Sequence, residues 1–336
     1  MTDAAASVSA RVIGPARTPI IAILIVAVGL AFAASIMVGP DGFGLPDNAD
    51  AAHLVLTEIR LPRALLGALI GAGLGISGAV LQGYLRNPLA EPGLLGISGG
   101  ASLGAVAAIH TGATGAMALA LPAGGMIGAA LAALSVLMLA GRRHGASTLI
   151  LAGVAISSIA AALTTLVLTL SANPFASVEM LFWLLGSLND RSMVHVWLAG
   201  PLIILGTGIL LGTGPALDAL TLGEEVAQNL GVDLGSLRRR VIAGTVLAVG
   251  AGTAVAGTIG FVGLVVPHLL RPRVGFEPRR LLLASLLGGA AIVLAADVAL
   301  RLIAPLHDIR LGVATALIGA PFFLWLVVKS KDDVPS

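Results

Sequence analysis

Few residues in this chain have the type and spacing to do chemistry. Asp297 and Arg301 stand four apart in a long apolar run, so on a helix they share a face and can pair. His268 follows Pro267 near the edge of another run, and His110 closes a third. Ionisable groups within apolar segments are functional suspects by default. A proton relay, however, needs several such groups in series, and two or three spaced ones point to structural pairing. The six histidines are scattered, with no His–Glu metal spacing and no nucleophile–base set. No catalytic residue, metal site or cofactor is expected.

Two motifs imitate soluble nucleotide-binding loops. Gly73-Leu-Gly75-Ile-Ser-Gly78 fits G-x-G-x-x-G, and Ile97-Ser98-Gly99-Gly100-Ala101 looks like an ATPase signature loop. The first motif needs a preceding strand and a helix opening on it, yet both lie in apolar runs of a chain with 44 glycines. Helix packing is the stronger reading. Gly67, Gly71, Gly75, Ala79 and Gly83 recur every fourth residue, as do Gly96, Gly100, Gly104 and Ala108. Such stripes let backbones approach closely, which matters most where lipid gives helices no hydrophobic reason to associate. The only lysines are Lys329 and Lys331, so no G-x-x-x-x-G-K-[ST] phosphate cradle exists and the chain alone should not hydrolyse ATP.

The elements that hold these residues are membrane spans. Of 336 residues, 57% are hydrophobic and 11% charged, against about 25% charged in soluble proteins; mean hydropathy is +1.02. The pI of 9.7 accompanies a net charge of only +2 and no aromatic–basic interleaving, so no nucleic-acid partner is implied. With no cysteine, disulfides and thiol chemistry are excluded. Each span needs about 20 mostly apolar residues. The pattern predicts ten, near 20–38, 64–84, 93–110, 117–140, 147–170, 195–214, 240–258, 260–271, 281–304 and 311–329. The run at 260–271 is too short to cross alone. Pro62 suits the first turn of the second span, and 39–58 reads as a soluble outer loop. The first run is read as a retained span, although Ala31-Phe32-Ala33 mimics a signal-peptide cleavage site. Ten spans can be two inverted units of five.

With the N-terminus inside, only Arg60, Arg63, Arg191, Arg301 and Arg310 of the nineteen basic residues fall outside. Excess positive charge marks the cytoplasmic side, so both termini are expected there. The division is a cytoplasmic tail over 1–19, a membrane domain over 20–330 and a tail over 331–336. Residues 171–193 hold Phe182, Trp183 and Leu185 and predict an interfacial helix. Inside, about 215–240, an acidic start at Glu224 and Glu225 and a stop at Gly231 predict a short helix. Leu222, Val226 and Leu230 give it an apolar stripe, to be covered by a partner or by the chain's own bundle.

A resemblance joins these pieces. Arg60-Leu-Pro62-Arg63, the glycine-striped helix, Gln82, Asn87-Pro88-Leu89-Ala90-x-Pro92 and Leu95-Gly96-Ile97-Ser98-x-Gly100-Ala101 resemble FecCD-type permeases, membrane subunits of bacterial ABC importers. So do Leu222-Gly223-Glu224 through Gly231-Val232, Gly260 to Arg271, Ala296-Asp297-x-x-x-Arg301 and Gly312 to Phe323. One departure is Asp308-Ile309-Arg310, where members commonly carry Glu-Leu-Pro. The resemblance implies a homodimer in the bacterial inner membrane, two ATP-binding cassette ATPase subunits, and a periplasmic or lipid-anchored substrate-binding protein. It implies that Arg60, Arg63 and Arg301 receive glutamates of that binding protein. It also implies that Ser147, Thr148 and Asn87 line the cytoplasmic gate and that Leu222, Gly223, Glu224, Val226, Leu230 and Gly231 contact the ATPase. The implied cargo is a bulky iron chelate, an iron–siderophore first, with haem and cobalamin as alternatives. The rivals are a proton-coupled transporter using Asp297 and a non-transporting scaffold.

Overall fold

The structure, a computed structural model, describes residues 20–39, 42–117, 119–141, 146–303 and 309–332. The expected tail 1–19 and Asp308 lie outside these residues. Every expected span is a helix. In chain order they are α1 (Ile20–Met37), α2 (Ala49–Tyr84), α3 (Ile97–His110), α4 (Ala120–Ala140) and α5 (Ala146–Leu170). The interfacial candidate forms α6 (Pro174–Leu184), and α7 (Met193–Leu211) follows. Two short helices, α8 (Gly214–Leu220) and α9 (Glu224–Asn229), precede α10 (Leu234–Ala256), α11 (Val262–Leu270), α12 (Pro278–Ile303) and α13 (Leu311–Asp332). Among the described residues, seven helices are long and apolar enough to cross a membrane.

The segment 39–58 is not the expected soluble loop. Val38–Gly39 pairs with Gly42–Phe43 in a small antiparallel hairpin, and α2 begins at Ala49. Asn48 caps that start, its Oδ1 accepting from the Asp50 amide at 2.9 Å. No Gly or Pro interrupts the next twelve residues, so the helix continues past the point where apolar periodicity becomes visible. A π-turn at Val55–Arg60 sits just before Pro62. There the widened register accommodates a residue that lacks an N–H.

Glycine stripes pair with glycine stripes. A methyl at Gly71 would collide with the Gly289 carbonyl of α12, and one at Gly75 with the Ser285 carbonyl. Gly100 and Gly104 of α3 meet Gly128 and Gly124 of α4 in the same way. Gly78 faces the Gly263 carbonyl of α11. The apparent dinucleotide motif is therefore a packing surface in mid-helix, with neither strand nor phosphate loop. Gly83, last in the stripe, meets only the Leu217 side chain at 3.5 Å.

The third helix of each half is short. α3 has 14 residues and α11 has 9, the latter rising only about 13 Å. Both open from a residue in the left-handed conformation, Gly96 at φ 72° and Phe261 at φ 65°. Corresponding short segments of this kind are a mark of inverted-repeat transporters. The second helix of each half, α2 or α10, also carries a π-turn. The two irregular entries touch: the Glu91 carboxylate accepts from the Phe261 amide, and a methyl at Gly263 would press on Pro92 at 2.8 Å. The corner after α2 thus folds back into the bundle and braces the start of α11.

Candidate functional site

One end of the bundle gathers Arg60, Arg63, Asp297 and Arg301. Asp297 lies in the last third of α12 and is 1% exposed. It pairs with Arg301 one turn later, at 2.9 Å. Arg63 arrives from α2, with Nη2 at 2.7 Å and Nε at 2.9 and 3.0 Å from the carboxylate oxygens. Charge-assisted, bidentate bonds of this kind are the strong ones. The spacing of Asp297 and Arg301 announced their pairing, and the structure adds Arg63. Asp297 is thus fully engaged between two guanidiniums, the structural role rather than a relay.

The arginines also terminate α1. Arg301 donates to the carbonyls of Ser35 and Val38 and to Ser35 Oγ. Arg60, 8% exposed, donates to the carbonyls of Ile36 at 2.9 Å, Met37 at 3.1 Å and Gly44 at 2.8 Å. The last carbonyls of a helix lack partners within it, and cations there complement the negative end of its dipole. Within this cluster three guanidiniums accompany one carboxylate, two of them bonded to it and Arg60 to backbone carbonyls.

The opposite end is built differently. α9 is bounded by Gly223 and Gly231, at φ 104° and 88°, which turn the chain sharply on both sides. Ala227 is buried against the bundle, while Leu222, Val226 and Leu230 are exposed. The chain's own bundle thus leaves this stripe uncovered. Glu224 reaches Arg86 of the α2 corner at 3.7 Å, both side chains about half exposed. Asn87 Oδ1 accepts from the Leu89 amide at 2.9 Å and fixes the corner. Ser147 is exposed and Thr148 half-buried in the first turn of α5. That helix packs on the same corner, with Ser157 Oγ donating to the Gly93 carbonyl at 3.3 Å.

One polar cluster and one ring contact lay beyond the sequence reading. Gln82, 2% exposed, donates to the carbonyls of Gly263 and Leu264 and accepts from Arg271 Nη2 at 2.8 Å. Its signal was a lone amide inside an apolar helix, which needs partners when buried. Burial pushes the Arg271 guanidinium below its ordinary value. His268 packs edge-on against Phe322 of α13, ring centroids 5.8 Å apart, and is part of the helix packing.

A bundle of apolar helices, two of them short and opening from left-handed residues, with one small helix exposing an apolar stripe, has known relatives. The model of the FecCD transport family matches residues 18–329. The chain belongs to that family. The permease is 39% identical over 290 residues to the cobalamin import system permease protein BtuC of Halobacterium salinarum, covering 86% of this chain and 76% of that protein. It is 39% identical over 280 residues to the vitamin B12 import system permease protein BtuC of Klebsiella pneumoniae, covering 83% and 84%. A solved inward-facing ABC transporter of the metal-chelate type superposes with a TM-score of 0.84 at 32% identity, covering 93% of this chain and 99% of that one. The permease is a multi-pass, non-catalytic subunit of an ABC importer, and ATP hydrolysis belongs to a separate subunit.

Proposed function

We propose that the permease imports a cobalamin-type corrinoid rather than an iron–siderophore. The observation that carries this is the 39% identity, over more than four-fifths of the chain, to two permeases named for cobalamin and vitamin B12. Iron–siderophore import, the first expectation from sequence, has no comparable support among these relatives. The test is a reconstitution in vesicles with the cognate ATPase and binding protein. Labelled cobalamin should accumulate with ATP, and a ferric hydroxamate chelate should not. Accumulation of the iron chelate alone would restore the siderophore reading.

In this reading the Arg60–Arg63–Arg301 end faces outward, the α9 end faces the cytoplasm with both termini, and two copies form the path. The substrate-binding protein docks on the cationic end. What supports this is the grouping of Arg60, Arg63 and Arg301 around the single Asp297 carboxylate, a local cationic cluster of the kind that steers acidic partners. Arg60 and Arg301 act mainly by holding the platform, and Arg63, 17% exposed, meets the partner most directly. The ATPase covers Leu222, Val226 and Leu230, with Gly223 and Gly231 setting the angle of α9 and Glu224 tying it to Arg86. Ser147 and Thr148 beside the Asn87 corner form the cytoplasmic gate, where small hydroxyls pass a bulky solute without gripping it.

A further inference from the structure

A second cationic feature lies at the same end as the Arg63–Asp297 cluster, away from it in sequence. Arg191, in the turn before α7, and Arg310, just before α13, line a cavity of about 360 Å³ together with Phe182, Trp183, Ser187 and Asn189. The Arg310 guanidinium lies over the Phe182 ring, 5.0 Å from its centroid. Stacking of that kind occupies the flat face of the group. Burial pushes the Arg191 guanidinium below its ordinary value; Asp190 opposes that shift and Arg310 reinforces it, so the two cations feel one another.

Buried donors here lack acceptors. The Nε of Arg191 and the indole Nε1 of Trp183 are buried with no hydrogen-bond partner among the described residues, and Trp183 is only 7% exposed. Buried polar groups are ordinarily satisfied, so such donors call for an explanation. Two carboxylates, Glu179 and Asp190, also line the cavity. Both residues are exposed, whereas Arg191 and Arg310 are half-buried, so water screens the acids more than the cations. The balance favours a ligand that brings acceptors and negative charge.

We propose that this cavity is a docking pocket that takes a carboxylate side chain of the substrate-binding protein. The proposal rests on the reading of the chain as an importer permease served by such a protein. A carboxylate matches both the planar edges of guanidinium and the single indole donor. Arg63 and Arg301 already hold Asp297, whereas Arg191 Nε and Trp183 Nε1 are buried donors with no partner among the described residues.

The test measures affinity of the cargo-free binding protein for the permease–ATPase complex in nanodiscs, at low and high salt. Arg191→Gln with Arg310→Gln should weaken binding at least tenfold at low salt, with the difference shrinking at high salt. Trp183→Phe, which keeps the ring and removes the donor, should weaken it a few-fold. Arg310→Gln alone gives a milder loss and serves if the double variant does not assemble, which thermal melting and gel filtration report. Unchanged affinity in these variants, with wild type binding, overturns the pocket and leaves the importer reading standing. Unchanged affinity with reduced cargo uptake assigns the pocket to the cargo and also overturns the proposal. If wild type itself fails to bind, the importer reading falls, and the pocket with it.

Discussion

The two ends of the bundle spend their charge in opposite ways. At one end Arg60, Arg63, Asp297 and Arg301 are turned inward, bonded to each other and to the carbonyls that finish α1. At the other, Arg86–Glu224, Arg239–Asp233 and Arg280–Glu277 are exposed pairs at 3.7, 4.0 and 2.6 Å, and an apolar stripe stands uncovered beside them. Breaking a buried pair leaves a desolvated charge and costs about 3–5 kcal/mol. An exposed pair contributes between about 0 and 1 kcal/mol, less in salt. The first end therefore holds the fold, and the second can exchange partners without unsettling it.

The sharpest way to break this contrast is Asp297→Asn. It leaves two guanidiniums facing each other across a neutral amide, and the expected loss is about 3–5 kcal/mol, read as a drop in thermal midpoint in detergent. A proton-coupled mechanism predicts the reverse pattern, a stable fold with uptake abolished. Next in size is Gly78→Ala. Its added methyl meets the backbone of Gly263, and overpacking of this kind costs about 1–3 kcal/mol. Gly83→Ala, whose methyl has room at 3.5 Å, is the matched control and should melt like wild type. Equal melting of the two variants would refute the claim that the stripe is a backbone-to-backbone interface.

Leu230→Glu sharpens the other side of the comparison. The side chain is 63% exposed, so the permease should fold normally while its affinity for the ATPase falls tenfold or more, because the new carboxylate must be desolvated on docking. Pull-down with intact thermal stability reports this, and normal ATPase association would return α9 to an ordinary surface helix. The smallest effect is expected from Arg86→Ala. Its pair with Glu224 is half exposed, so stability should change by less than about 1 kcal/mol and not at all in high salt.

Much of this was legible in the residues themselves. Fourfold glycine spacing named the interfaces, and the shortness of the run at 260–271 marked a helix too short to cross alone. The i, i+4 spacing of Asp297 and Arg301 gave their pairing. Arg63 joins them from 234 positions earlier in the chain, and no local pattern encodes that meeting. For the same reason Arg60 read as an outward cation: sequence places it at an end of the bundle, not against the carbonyls of α1. The start of α2 was hidden because Asp47, Asp50 and Glu58 scatter charge around it and break up any apolar run. The Arg191–Arg310 cavity needed the fold, since its two cations come from the connections before α7 and α13.

The most direct test uses the absence of cysteine. Leu230→Cys introduces a single thiol on the stripe that the ATPase is held to cover, and a membrane-impermeant maleimide reports its accessibility in nanodiscs. The account predicts rapid labelling of the permease alone and strong protection once the ATPase is bound. Labelling that is already slow without the ATPase, or that is unchanged by its binding, would contradict the division of labour between the two ends.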